Sequence, residues 1–140
     1  SQCSNISVQH HASAVLQDCQ CNNSKRCGLV VNGSGSSASA HACDFGSCQL
    51  FGVNAEQDGQ AELDGCESCY SGECGLRVLQ GSSVISHMSS FSSNTQSNVV
   101  CHLNCHLELC DCQCTGSRVQ AGMVVSEKGS HSHQVQLQQQ

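Results

Sequence analysis

The stretch CHLNCHLELCDCQC at residues 101–114 gathers the side chains of this chain best suited to chemistry. Cysteine and histidine together suit tetrahedral zinc, which makes Cys105, Cys110, His102 and His106 the residues to weigh for a metal. Cys101, Cys105 and His106 also approach the spacing of a c-type haem attachment. That motif is C-x-x-C-H, however, and here three residues separate the two cysteines. Across its 140 residues the chain carries 14 Cys and 8 His. An even cysteine count suggests a disulfide framework in a secreted chain, and close pairs such as Cys19 and Cys21 suggest metal binding. Which of these holds depends on where the backbone places the side chains.

The placement follows from an internal repeat, which has to be sought before any motif is trusted. The string D-C-Q-C occurs at 18–21 and again at 111–114, 93 residues on, or four units of about 23. The intermediate copies form columns. One reads Cys19, Cys43, Cys66, Ser89, Cys112; two residues later a second reads Cys21, Phe45, Ser68, Phe91, Cys114. An apolar pair recurs upstream as Ile6/Val8, Leu29/Val31, Val53/Ala55, Leu76/Val78, Val99/Cys101 and Met123/Val125. Between the two lies a third series, Ala14/Leu16, Ala38/Ala40, Ala61/Leu63, Val84/Ser86 and Leu107/Leu109. Alternation at period two is a strand pattern, and segments this short are not helices. A turn column, His11, Gly35, Asp58, Gly81, Asn104, separates the first two segments, and a polar corner follows the third. Pro, which cannot donate to a strand ladder, is absent.

Three strands and three corners in 22–24 residues predict an all-β parallel β-helix of five to six coils. At ~4.8 Å per coil, six coils make a rod on the order of 29 Å long. With aromatics at 3% and no Trp, the interior is expected to be filled by small residues stacked on their like. G-L-V-V at 28–31, G-L-R-V at 75–78 and the C-x-C or C-x-F steps at 19–21, 43–45 and 112–114 carry a resemblance to right-handed parallel β-helix repeat proteins of the pectate-lyase-like superfamily. The resemblance covers about residues 4–125, and 4–137 with a degraded last coil. It implies the right-handed sense and is strongest toward the non-catalytic scaffold or adaptor members. No family active-site motif comes with it. A leucine-rich repeat has a similar period but needs L-x-x-L-x-L-x-x-N, which is missing. Residues 1–133 are expected to be β-helix, a segment of a larger solenoid, and Gln-rich 134–140 a linker tail.

The columns decide most of the chemistry. Cys19, Cys21, Cys43, Cys66, Cys112 and Cys114 alternate with Phe and Ser, as small core residues can and metal ligands cannot. Cys105 and Cys110 are expected at polar surface corners, away from inward Cys101 and Cys112. Histidines 10, 11, 41, 87, 102, 106, 131 and 133 are read as sharing no column with an acid, with His131 and His133 marking a fraying end. Asp18 and Asp111 share a column four coils apart, roughly 19 Å at the strand spacing, whereas glycosidase carboxyls sit ~5–9.5 Å apart. Asp64 with Glu67, and Asp44 with Asp18, have no basic residue in register. No catalytic, cofactor-binding or metal residue is therefore assigned, and no cofactor is expected.

The expected function is a non-enzymatic scaffold binding other proteins of a larger assembly, end-on docking included. That assembly would be intracellular: cytoplasmic, cytoskeletal or ciliary. A carbohydrate-binding or polysaccharide-processing β-helix is the alternative, and a secreted, disulfide-rich structural protein, hence extracellular, is a third. The five scattered Lys and Arg and the net charge of -6 argue against nucleic acid, and no apolar run reaches the ~20 residues of a membrane span.

Overall fold

The computed structural model describes residues 5–102, 105–113, 123–125 and 131–138. Its strands alternate between two parallel sheets. The first sheet consists, in spatial order, of β1 (Ile6–Gln9), β3 (Cys27–Asn32), β5 (Phe51–Glu56), β7 (Cys74–Val78), β9 (Ser97–Cys101) and β11 (Met123–Val125). The second runs through β2 (Ser13–Gln17), β4 (Ser37–His41), β6 (Gln60–Asp64), β8 (Ser83–His87), β10 (His106–Gln113) and β12 (His131–Gln138). Each strand thus pairs with the equivalent strand of the next coil.

The register matches the columns. Ile6, Leu29, Val53, Leu76, Val99 and Met123 are successive partners in the first sheet. Ala14, Ala38, Ala61, Val84 and Leu107 are partners in the second. The third side is thinner than three strands per coil would make it. It is a ladder of single bridges, Gln20 to Asp44, Asp44 to Glu67 and Glu67 to Ser90. Backbone bonds such as Cys21 N–H to Asp44 O (2.7 Å) and Asp44 N–H to Cys19 O (3.0 Å) close it. Left-handed residues at both ends of this side leave only four residues between them. Among the described residues four coils are complete on all three sides, where five to six were expected. In the fifth, β10 runs on for eight residues and its register against β12 shifts twice.

The corners are built from stacked left-handed residues. His11, Gly35, Asp58 and Gly81 all have positive φ; Asn104 and Cys114 lie outside the described residues. Two further columns behave alike: Asp18, Ala42, Gly65, Met88 before the third side, and Asn23, Ser47, Tyr70, Ser93 after it. Gly and Asn adopt this conformation at little cost, whereas Ala, Met and Tyr are strained by ~1–2 kcal/mol each.

Inside, Leu29, Val31, Val53, Ala55, Leu76, Val78, Leu107 and Leu109 are buried together with Cys43, Cys66, Cys112, Phe45 and Phe91. Where the third side meets the first sheet, space runs out. Gly28, Gly52 and Gly75 form a column, and a Cβ on Gly75 would lie 2.6 Å from both Asn94 Nδ2 and Ser68 O. In the next coil this column holds Asn98, whose side chain is buried and accepts from Asn94 Nδ2 at 2.9 Å. Asn94 Nδ2 also donates to Ser68 O (3.1 Å), and its Oδ1 accepts from Ser71 N–H (2.8 Å). Buried carbonyls that carry no intra-coil bond find partners in this way.

Two placements differ from expectation. Cys105 is buried, because the residue after the first corner tucks inward, as Ser36 and Ser82 do in earlier coils. The Gln-rich segment is a strand as far as Gln138, with Val135 opposite Leu109 and Leu137 opposite Cys112. The alternation in HQVQLQ is strand-like, a signal that reading the tail by composition passed over. His131 pairs with His106, so this strand continues the second sheet where fraying was expected.

Candidate functional site

The outward positions of the second sheet form three columns. The first is Ser13, Ser37, Gln60, Ser83, His106; the second Val15, Ser39, Glu62, Ile85, Glu108; the third Gln17, His41, Asp64, His87, Cys110. Ser37 and Ser39 on β4, with Gln60 and Glu62 beside them on β6, line a trough of about 390 Å³ that runs along the rod between Val15 and Ile85. It crosses β2, β4, β6 and β8, with Ala14, Ala38 and Ala61 among its lining residues. Val15 is 79% exposed at one end.

The third column overturns one expectation from the sequence. His41 and His87 do share a column with an acid, since Asp64 lies between them in register. His41 Nδ1 stands 3.5 Å from Asp64 Oδ2, with both side chains about half exposed, and His106 Nε2 stands 3.5 Å from Glu108 Oε2. The signal was present in the spacing 17, 41, 64, 87, 110. It escaped notice because outward columns carry no hydrophobic pattern to align on. Cys110 ends this column, half-buried.

The other expected acids are placed as follows. Asp44 is engaged in structure: its Oδ1 accepts from Gly46 N–H (2.9 Å) and its Oδ2 from Asn22 Nδ2 (2.8 Å). Asp18 is a left-handed corner residue. Sequence reasoning did not foresee a groove of about 550 Å³ on the first sheet, with Arg26, Arg77, Glu56 and Glu73 among its lining residues. There the Arg77 guanidinium lies 3.9 Å over the Phe51 ring and its Nε donates to Asn54 Oδ1 at 3.0 Å. Asn54 Nδ2 donates in turn to Glu56 Oε1 at 2.7 Å.

The thiols are structural in character. Cys21, Cys43, Cys48 and Cys66 are free thiols. Burial, reinforced by the neighbouring Cys19, Cys43 and Cys48 and by Asp44, pushes the Cys21 thiol up to about 11. Burial also raises Cys43, Cys48 and Cys66. A raised thiol is a poor nucleophile at neutral pH. Among the described residues, no three His, Cys, Asp or Glu side chains converge as they stand on a point where a metal could sit.

The family model of the right-handed β-helix region matches residues 2–137. The chain belongs to the right-handed β-helix family. The right-handed sense implied by the resemblance is therefore that of this β-helix, in keeping with the right-handed crossovers of parallel strands. No curated protein and no solved structure matches the β-helix. No helix among the described residues is long and apolar enough to cross a membrane.

Proposed function

We propose that this β-helix is a non-catalytic scaffold that holds another protein against the outer face of its second sheet within a larger assembly. The observation that carries the reading is the trough. It is lined mostly by Ser and Ala, with Gln60 and Glu62 at its middle and apolar Val15 and Ile85 along it, and it follows the rod through four coils. An extended polypeptide segment fits such a surface, whereas small substrates are held in concave pockets that bury most of their area. The first coil adds a second contact by the same logic. Ile6, Ala14, Leu16 and Cys19 are only partly buried while their partners one coil on are buried, so a partner docking end-on would complete the stack. Buried free thiols such as Cys43 and Cys66 suit a reducing compartment, and the proposal places the protein inside the cell, in a cytoplasmic or cytoskeletal setting.

A photo-crosslinking residue at Val15 or Ser39, with one at exposed Lys25 as control, tests the reading in the native cell. The expected result is a discrete protein adduct from the trough positions alone. Release of reducing or unsaturated sugars from acidic or neutral polysaccharides would refute it. The first-sheet groove favours that carbohydrate alternative, since both carboxylates and guanidiniums line it. Against it, the Phe51 ring is covered by Arg77 and offers no open stacking platform.

A further inference from the structure

We propose that His41, Asp64 and His87 bind one divalent transition-metal ion of the zinc class, bridging three consecutive coils. The three are direct register partners on β4, β6 and β8. Adjacent strands lie ~4.8 Å apart, so Asp64 stands midway between two imidazoles whose backbones are roughly 9.6 Å apart. A His side chain is long enough to lean over one strand toward an ion held above the central carboxylate. His41 already leans in this direction, with Nδ1 3.5 Å from Asp64 Oδ2. All three side chains open on one cleft of about 230 Å³, with Ser39 and Glu62 at its margin. Two imidazoles and one carboxylate are a donor set zinc accepts, with water in the fourth position.

The donors do not converge before the ion arrives. All three residues are exposed, so turning them inward costs only side-chain freedom, and the backbone spacing is already set by the sheet. Cys110 continues the column beyond His87. It stands two coils from Asp64, out of reach for so short a side chain, and serves as the control. The proposal does not depend on the scaffold reading.

The test is titration of the whole chain with zinc, by calorimetry, and with cobalt, by absorption, under reducing conditions at neutral pH. One equivalent is expected to bind. His41→Ala, Asp64→Asn and His87→Ala should each weaken binding tenfold or more, and Cys110→Ser should leave it unchanged. The cobalt spectrum should lack thiolate charge-transfer bands. Zinc should raise the melting temperature of the parent and not of His87→Ala, because an ion bound only to the native state stabilises it. Since the substituted positions face solvent, far-ultraviolet circular dichroism is expected to show an intact fold in every variant. A parent that binds no zinc, thiolate bands in the cobalt complex, or equal affinity in parent and histidine variants would each overturn the site.

Discussion

Replacing Gly75 by Ala tests whether the corner between the third side and the first sheet is as closed as its geometry implies. The added Cβ would fall 2.6 Å from Asn94 Nδ2, 2.6 Å from Ser68 O and 2.9 Å from Asn98 O. Non-bonded carbons rest at about 3.5–4.0 Å, so each neighbour must retreat by at least roughly 0.6–0.9 Å. Two of the three are backbone carbonyls. The third, Asn94 Nδ2, is held by bonds to Ser68 O and Asn98 Oδ1, and Ser68 Oγ donates to Gly75 O itself at 2.6 Å. Overpacking costs ~1–3 kcal/mol, and disturbing a buried hydrogen bond adds ~1 kcal/mol. The stiffer unfolded chain returns ~0.4–1 kcal/mol. A loss of about 2 kcal/mol is therefore expected. Gly65→Ala is the matched comparison. Gly65 has φ of 65° and no atom within 4 Å of the added carbon, so only the left-handed penalty applies, about 1 kcal/mol after the same unfolded-state correction. Urea unfolding followed by circular dichroism measures both. If Gly75→Ala costs no more than Gly65→Ala, the corner yields freely and the close-packing argument fails.

Further expectations follow from the same structure. Met88→Asn should raise stability by ~0.5–1 kcal/mol, because exposed Met88 holds φ of 53° where Asn is tolerated; an unchanged urea midpoint would contradict this. Phe91→Ala should cost ~3–5 kcal/mol, since a wholly buried ring leaves a cavity in a thin core, and a loss below that of an exposed-site variant would show a collapsible interior. Cys21 has its pKa raised from 9.0 to about 11. The unfolded chain therefore releases a proton in that interval which the native chain keeps. Stability is full below pH 9 and falls as the pH climbs toward about 11; a melting temperature flat across this range in the parent, or falling equally in Cys21→Ser, would refute the assignment.

The inward half of this fold is legible in the sequence and the outward half is not. Inward residues answer to one demand, volume, so Leu29, Val53, Leu76 and Val99 announce their stacking by type, and Cys19, Cys43 and Cys66 by recurrence. The turn column was legible for a related reason, since Gly35, Asp58 and Gly81 are residues that left-handed backbone selects. The column through Ala42 was hidden because Ala and Met do not betray that conformation, whereas the one through Asn23, Ser47 and Ser93 fell within the polar corner, with Tyr70 its one uncharacteristic member. Outward residues answer to solvent, which accepts almost anything, so the succession His41, Asp64, His87 becomes visible only once the register is known. Cys105 misled for a different reason: its neighbours are polar, and only the geometry of the first corner turns it inward.

The regular coil length also bears on how this rod would respond to force. Nearly every tertiary bond links a residue to one about 23 positions away, so tension applied at the two termini would strip the coils singly instead of shearing the whole. Each released coil, drawn out at ~3.4 Å per residue, would lengthen the tether by on the order of 75 Å. Under load the molecule would behave as a ratcheted spool, paying out chain in equal increments while the turns still wound keep their shape.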